Sequence, residues 1–339
     1  MPSILVDITA HAHDSPFPSP EGVDDQIYGE LNIFERNFFQ SSVYPRLRSI
    51  KREYGQDPRI DARFEFNRKH YNFRSLSLES RDQFETIFSA INHTVGDIFV
   101  DGNIKVFLDL GCAPGGFSKF VLENNPDSRG FGITLPTISL QKTGVLSSSR
   151  YTVDTADITK INFEAYRPPH KRLAKTGYDL IIAGAFPTGT LITAVERATL
   201  ALSQLHIMLS YLQDGGTCVM VAGTKAFLWN IEMFAVLRRV FQSVIPAKHG
   251  KIHADRSSCY FVCQGFGKGS EEVRAMKYRV KKALDVLKTL DQIDEVCRNS
   301  WWLSFYAYSF YYLLRLTGCS YSVMILTSSH STRWRVNLF

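Results

Sequence analysis

One short stretch, residues 104–118 with the sequence IKVFLDLGCAPGGFS, constrains the fold of this chain more than any other. Its apolar residues up to Leu110 predict a buried parallel strand that is covered on both faces. Gly111, Gly115 and Gly116 predict a tight turn in which backbone N–H groups can approach a ligand, because no β-carbon stands in the way. A helix is predicted to follow the turn. Ligands of open α/β sheets bind where a strand gives way to a helix, so this stretch predicts a binding site.

The spacing of these glycines narrows the identity of the ligand. A dinucleotide-binding turn requires the pattern G-x-G-x-x-G and an acidic residue about 20 residues later. Here the pattern is G-x-x-x-G-G, and the next predicted strand, residues 130–135, ends without an acidic residue. The turn therefore argues against NAD and FAD. A glycine-rich turn in some other α/β protein is the alternative interpretation, although so specific a string has no evident structural need.

The composition is compatible with one large globular core. The 339 residues are 45% hydrophobic and 21% charged, and the length also permits two domains. The net charge of +6 is compatible with an acidic partner without demonstrating one. The six cysteines are scattered, with no C-x-x-C pair, so a zinc site is not predicted. A reduced intracellular compartment, cytoplasmic or nuclear, is expected, and residues 1–7 lack the pattern of a signal peptide.

Strands and helices alternate between residues 100 and 266. This alternation predicts an α/β fold in which a mostly parallel, seven-stranded sheet is flanked by helices. Helical extensions are predicted before and after this domain. The strands that can be located lie at residues 104–110, 130–135, 151–157, 178–184, 217–222 and 258–263, and the helices at 82–96, 192–212 and 227–241. The chain thus divides into five segments: an irregular lead-in (1–26), a basic helical extension (27–99), the α/β domain (100–266), a charged amphipathic helix (267–300) and an aromatic-rich tail (301–339).

Residues 46–74 carry nine Lys or Arg residues against four acidic ones, with five aromatic residues interleaved. This combination suits RNA binding, because phosphates attract cations and unstacked bases pack on aromatic rings. A solvated helix face above a few core aromatics explains the same pattern. The apolar spacing that starts at residue 27 predicts an amphipathic helix to about residue 52, interrupted near Pro45.

Two C-terminal segments carry weaker signals. Apolar residues recur every three or four positions across residues 270–298, which predicts an amphipathic helix that either caps the domain or pairs with a partner protein. The tail from Trp301 to Leu314 is uncharged and holds eight aromatic residues, and Arg315 separates it from a second uncharged run. Each run is shorter than the roughly 20 residues of a membrane span. Helical packing on the domain and a poorly ordered tail are therefore open, and membrane contact is the least expected arrangement.

The string DLGCAPGGFS at residues 109–118 resembles motif I of the FtsJ-like (RrmJ) methyltransferases. The resemblance to these enzymes and to messenger-RNA cap 2′-O-ribose methyltransferases covers residues 104–266, and it implies a Rossmann-like fold and the cofactor S-adenosylmethionine. Asp157 matches the family acid that holds the adenine amino group, and Thr134 is expected near the cofactor ribose. The resemblance implies cofactor contacts by Asp109, Gly111, Cys112, Ala113, Pro114, Gly115, Gly116, Phe117, Thr134, Asp157 and Gly184.

The catalytic residues of the family fit this chain poorly. The family uses a Lys-Asp-Lys-Glu tetrad, in which a lysine of lowered pKa helps to remove the proton of a ribose 2′-hydroxyl. The resemblance places the aspartate, the second lysine and the glutamate at Gly184, Val221 and Ser258, which carry no charge. For the first lysine only Lys69 is available, at the far edge of the expected window. Lys225 lies four residues past the second lysine position and is the other candidate for a catalytic role.

Two classes of function follow from this pattern. In the first, the chain is an S-adenosylmethionine-dependent methyltransferase, acting on RNA by family resemblance, whose acceptor needs little base catalysis or which recruits Lys225 or His253. Asp179 also lies nearby in sequence. In the second, the chain is a catalytically silent module that keeps the fold and holds S-adenosylmethionine, RNA or a partner. Fold alone does not decide between them. Ribose 2′-O-methylation by the family route is expected to be very slow or absent.

Overall fold

The structure is a computed structural model that describes residues 43–70, 78–135, 148–161, 177–187, 194–223, 228–250, 258–291, 321–328 and 331–338. The chain forms two compact units. One contains the N-terminal helices and the C-terminal strand pair, and the other contains the α/β domain. No helix in the described part of the chain is long and apolar enough to cross a membrane.

Within the described ranges, the α/β domain has one sheet of seven strands: β1 (Val106–Leu110), β2 (Arg129–Thr134), β3 (Tyr151–Thr155), β4 (Tyr178–Ala183), β5 (Leu212–Gly223), β6 (Phe241–Ala247) and β7 (Ser258–Phe266). Their order across the sheet is β3-β2-β1-β4-β5-β7-β6. The first five strands of that order pair in parallel, whereas β7 runs antiparallel between β5 and β6. The predicted α/β fold with a mostly parallel seven-stranded sheet is confirmed.

The described helices are α1 (Val43–Gly55), α2 (Pro58–His70), α3 (Leu78–Thr94), α4 (Gly116–Asn124), α5 (Ala194–Tyr211), α6 (Leu228–Val240) and α7 (Glu271–Asp291). Helices α1 and α2 belong to the first unit, and α3 to α7 lie in the α/β domain. The apolar side of α7 packs against α5, and its buried residues are Val273, Met276, Val280, Leu284 and Leu287. This is the capping arrangement. Residues 292–298 of the predicted helix lie outside the described residues.

The central strands are covered on both faces. Leu180, Ile181 and Ile182 of β4 follow one another with no accessible surface, so neither face of this strand meets solvent. On one face, α3 and α4 close over the sheet through aromatic rings. The Phe88 ring centre on α3 lies 4.9 Å from that of Phe117 and 5.5 Å from that of Phe120, both on α4. Burial of these large apolar side chains fixes α3 above the strand that leads into the glycine turn.

Three elements of the structure, α1, β6 and β5, differ from the sequence prediction. Pro45 does not interrupt α1, because it lies in the first turn, where a helix needs no hydrogen bond from the residue's nitrogen. Strand β6 was not located, since it follows α6 directly with no polar break between them. Strand β5 begins at Leu212 rather than at residue 217, and its register against β4 shifts before Thr217. The shift includes Gly215, whose φ of 72° is favourable only for glycine.

The end of the chain forms strands and not a helix. β8 (Tyr321–Ser328) and β9 (Ser331–Leu338) pair antiparallel from Tyr321 opposite Leu338 to Ser328 opposite Ser331. The helical alternative for this part of the tail is therefore wrong. The lead-in at residues 1–26 and the first part of the tail, residues 301–320, lie outside the described residues.

Phe88→Ala should strongly destabilise the α/β domain. Its ring is fully buried against three aromatic neighbours, so truncation removes apolar contacts and leaves a cavity, at a cost of about 3–5 kcal/mol. Urea unfolding followed by circular dichroism measures the change in the free energy of unfolding. Tyr278→Ala, at an exposed position on α7, is the control and should cost less than about 1 kcal/mol. Equal losses in the two variants would contradict this account of the core.

Candidate functional site

The candidate site is the carboxyl edge of the sheet between β1 and β4, hereafter the crevice. From β1 the chain continues to β2 and β3 on one side, whereas β4 leads to β5 on the other, and such a switch point is where open α/β sheets bind ligands. Gly111 follows β1, Thr134 ends β2, Asp157 lies two residues past β3 and Gly184 follows β4. The fold thus brings these four residues, which are far apart in sequence, to one edge of the sheet.

The glycine turn is held by close backbone packing. Gly111 has a φ of 78°, and a β-carbon added there would lie 2.5 Å from the Cα of Ala185. A β-carbon added at Gly116 would lie 2.6 Å from the Cβ of Phe84 and 2.7 Å from the nitrogen of Glu85. All three distances are shorter than real β-carbon contacts allow. Packing against the loop after β4 and against α3 therefore requires glycine at both positions, so the string does have a structural need.

The groups around the turn fit S-adenosylmethionine. Gly115 precedes α4 with a φ of 100°, and no side chain caps the helix, so N–H groups of its first turn are available to a carboxylate. The Oδ1 atom of Asp157 accepts hydrogen bonds from the nitrogen (3.0 Å) and hydroxyl (2.7 Å) of Thr159. Its Oδ2 atom lies 3.6 Å from Lys160 Nζ at a partly exposed position, where it can accept from an amino group.

The end of β2 offers less to a cofactor. Thr134 is buried, and its carbonyl oxygen accepts a hydrogen bond from the nitrogen of Ala156 at 2.8 Å. Where a carboxylate would bind ribose hydroxyls strongly, a threonine provides only a neutral hydrogen bond. We expect the affinity to be lower by on the order of 1–2 kcal/mol than with an acid at this place.

The carboxyl group of Asp109 points into the domain. It is 3% exposed, and the hydroxyl of Ser118 on α4 donates to its Oδ2 atom at 2.6 Å. The same hydroxyl lies 2.8 Å from that of Tyr151 on β3. Burial raises the pKa of Asp109 to about 7, against the opposing effect of the Ser118 hydrogen bond. Asp109 therefore joins β1 to the helix that begins at the crevice.

The three positions that carry charged groups in the resembled enzymes do come together. Ala183 on β4 pairs with Met220 on β5, so Gly184 and Val221, each one residue further on, lie at the same level. Val221 lies opposite Tyr260, and Gly223 lies opposite Ser258. These three positions therefore lie on one face of the sheet.

Aromatic and apolar groups take the space of the missing charges. A β-carbon added at Gly184 would lie 4.0 Å from the Cε2 atom of Phe117. The Phe117 ring meets the rings of Tyr260 and Phe84 edge-on, with centres 5.6 and 5.7 Å away. Val221 packs against the same cluster. Burial raises the pKa of the Tyr260 phenol well above its usual range, so this group stays neutral.

Both catalytic candidates from the sequence fall on side chains that the structure does not describe. Lys69 belongs to α2, in the other compact unit, and its side chain is outside the described part of the structure, as are Lys225 and His253. Asp179 lies at the opposite edge, where one carboxylate oxygen accepts hydrogen bonds from the nitrogens of Lys105 (2.7 Å) and Val106 (2.8 Å). Asp179 therefore holds the start of β1 and has no access to the crevice.

A lysine that the sequence analysis passed over lies on the first turn of α4. Lys119 Nζ is 2.6 Å from Glu85 Oε2 on α3, and carboxylate oxygens of Asp82 and Glu123 lie at 3.9 Å. The hydrogen bond to Glu85 raises the pKa of Lys119. A lysine that removes protons needs a lowered pKa, so Lys119 is an ion-pair partner and not a base.

A buried glutamine was also missed. The side chain of Gln204 on α5 accepts a hydrogen bond from the nitrogen of Ala185 and donates one to its carbonyl oxygen, both at 3.0 Å. These two bonds hold the loop after β4 against the glycine turn. A polar residue on the apolar side of a predicted helix, flanked by Leu202 and Leu205, is the signal in the sequence.

Comparison with known sequences identifies a family with this arrangement. Residues 87–266, just over half of the 339 residues, match the sequence model of the family described as FtsJ-like methyltransferase. The matched span starts in α3 and ends with β7, so it includes the glycine turn and the whole sheet. Among curated proteins, no relative matches the chain.

Several solved structures are similar to part of this chain. Human methyltransferase-like protein 13 in complex with SAH is 15% identical, with 61% of this chain and 92% of that chain covered and a TM-score of 0.39. The Methanococcus jannaschii fibrillarin pre-rRNA processing protein is 12% identical, with 49% and 68% covered and a TM-score of 0.35. The N-methyltransferase NodS of Bradyrhizobium japonicum WM9 with SAH is 13% identical, with 56% and 88% covered and a TM-score of 0.34. At these identities the likeness carries no argument about substrate.

Asp109→Asn should change how stability depends on pH. The pKa of Asp109 is about 7 in the folded protein, above its ordinary value of 3.8, so the unfolded chain releases a proton that the folded chain retains. This group therefore lowers the free energy of unfolding as pH rises from about 4 to 7, by on the order of 4 kcal/mol, with no further change above 7. Urea titrations from pH 4 to 8 should show the wild type losing stability relative to the variant across that window. A constant difference would contradict this reading.

Gly115→Val should abolish cofactor binding. A β-branched residue strongly disfavours a φ of 100°, so the turn before α4 must change its path. Isothermal calorimetry with S-adenosylhomocysteine should give no measurable binding, while circular dichroism confirms that the domain is folded. Gly250→Val, an exposed glycine with open space around it, is the matched control and should bind like the wild type. Equal binding by Gly115→Val and the wild type would mean that the site lies elsewhere.

Proposed function

Since this chain belongs to the FtsJ-like methyltransferase family, we propose that it uses S-adenosylmethionine to methylate RNA without the charged tetrad of that family. When bound, S-adenosylmethionine supplies a methyl group made electrophilic by a sulfonium. The residues of the chain hold that donor and position the acceptor, and positioning alone can supply much of the rate.

The contrast between the two halves of the crevice carries this proposal. On the cofactor side, the glycine turn, the uncapped start of α4 and Asp157 are in place. On the acceptor side, Gly184, Val221 and Ser258 carry no charge. A chain that has the cofactor-binding groups but lacks the charged catalytic groups is suited to an acceptor whose proton need not be removed by a protein base.

The ribose route of the family has no support in this half of the site. General acid–base groups contribute about 10²–10⁴-fold to such reactions. The tetrad positions just after β4 and on β5 and β7 are neutral, and Lys119 is held in an ion pair with Glu85. Ribose 2′-O-methylation should therefore be slow, and an acceptor that is nucleophilic without deprotonation fits better.

We propose the basic helices α1 and α2 as the RNA contact. Arg46 and Arg63 are exposed there, and the exposed rings of Tyr54 and Phe66 can pack on unstacked bases. Arg59 is less suited, because its guanidinium already bonds both oxygens of Asp57, at 2.7 to 3.1 Å. Phosphate contacts by these arginines would make RNA binding weaken as the salt concentration rises.

A catalytically silent module is the second candidate, and one observation favours it. Gly111 and Gly116 are required by packing against Ala185 and against α3. Those glycines would thus be kept in a scaffold that binds no cofactor. Because packing alone explains these glycines, the presence of the string at residues 109–118 is weaker evidence for cofactor binding than the sequence alone indicates.

We also propose an intracellular location, cytoplasmic or nuclear. The four cysteines in the described part of the chain are buried and free. Two of them, Cys218 and Cys263, lie directly opposite each other on β5 and β7 as thiols. Reduced thiols are typical of the reducing compartments of the cell.

Methyl transfer from tritiated S-adenosylmethionine to total RNA and to total protein tests the proposal. The full chain should label RNA, Gly115→Val should not, and alkali should release the label in mononucleotides, because only a 2′-O-methyl group protects the next phosphodiester bond. Lys69→Ala and Lys225→Ala are run in parallel. Robust alkali-resistant label that is undiminished in both lysine variants would show that this account of the site is wrong. Cofactor binding without any label would favour the silent module.

A further inference from the structure

The loop after β4 carries an exposed aromatic residue close to Gly184 in sequence. Phe186 lies two residues past Gly184, and its side chain is 45% exposed. The loop cannot move freely, because Gln204 binds both backbone groups of Ala185 and the nitrogen of Gly184 donates to the carbonyl oxygen of Leu110 at 3.1 Å. An exposed ring on a fixed loop loses little conformational entropy when a flat ligand stacks on it.

Rings and apolar side chains of the core pack next to Gly184 on the acceptor side of the crevice. Phe117 borders the open position at Gly184, where a side chain would find ordinary contact distances of 3.7 to 4.0 Å. Tyr260 and Phe84 contact the Phe117 ring edge-on, and Val221 packs beside them. Such apolar and aromatic surroundings favour a flat, uncharged ring over a strongly hydrated group, because burying a polar group costs free energy unless it finds a hydrogen bond.

The chemistry of the acceptor points the same way. A ribose hydroxyl must lose its proton to accept a methyl group, whereas a pyridine-type ring nitrogen offers a lone pair and loses none. In that transfer the N–C bond forms as the C–S bond of the donor breaks, and the positive charge passes from sulfur to the ring. No base is needed. The cationic product ring can be stabilised by the faces of neighbouring aromatic side chains.

We infer that the acceptor site takes a planar, uncharged heteroaromatic ring of the nucleobase class, with a pyridine-type nitrogen as acceptor and Phe186 as the stacking residue. This inference rests on the proposed function and adds the class of acceptor at the same site. Phe186 is assigned a role in specificity, because its ring would stack on the ring of the acceptor. The two hydrogen bonds between Gln204 and Ala185 would fix the position of the loop that carries Phe186.

Binding of cytidine to the full chain tests the inference, with saturation-transfer NMR or calorimetry as the readout. Cytidine should bind, and methyl riboside, which has the sugar but no base, should not. Phe186→Ala should weaken cytidine binding at least about fivefold, and Phe186→Tyr should restore it. Phe234→Ala is the matched control and should have no effect, because that phenylalanine is also exposed, at 38%, but its ring packs on Phe261 of β7, away from the crevice.

The outcomes separate this inference from the proposed function. Each titration is run with and without S-adenosylhomocysteine. Failure of that compound to bind would contradict the proposed function, while the cytidine series would still report on the ring site. Equal binding of cytidine by the wild type and Phe186→Ala, or equal binding of cytidine and methyl riboside, would overturn the inference. Mass spectrometry of labelled RNA should find the new methyl group on a base, and a methyl group on ribose would overturn it as well.

Discussion

The close backbone packing of the glycine turn is the constraint on which the rest of the site depends. At Gly111 the turn contacts the loop after β4, and at Gly116 it contacts α3. A side chain at either position would separate these elements by the width of a methyl group or more. The start of α4 would then move away from the crevice, and the loop that carries Phe186 would lose its support. The cofactor side and the acceptor side of the crevice therefore both depend on the packing of this one turn.

The neutral character of the acceptor side follows from the cost of buried charge. A lysine or carboxylate in such a place is tolerated when it is paired, and removal of one partner leaves the others uncompensated, at several kcal/mol. Gly184, Val221 and Ser258 are all neutral, and Phe117 and Tyr260 pack beside them. Because the charged groups are absent from all three positions together, none of these positions holds a buried charge that lacks its partner.

Local sequence patterns were sufficient to predict the elements whose conformation depends on residues adjacent in sequence. The strand at residues 106–110, the turn and α4 were predicted because apolar runs and glycines determine backbone conformation locally. β6 was not predicted, since Phe241 continues the apolar pattern of α6 without a break. The strands of the tail, β8 and β9, were also missed, because the uncharged, largely apolar sequence of β8 suits a helix and a strand equally.

The sequence by itself determined that the turn at residues 111–116 can adopt the conformations of glycine and that the three tetrad positions carry no charge. Only the tertiary structure decided that these three positions meet on one face, that packing as well as a ligand demands Gly111 and Gly116, and that the carboxyl of Asp109 is buried with a pKa near 7. The physical reason is that backbone conformation depends on adjacent residues. Burial, close contact and pKa depend on groups that folding brings from distant parts of the chain.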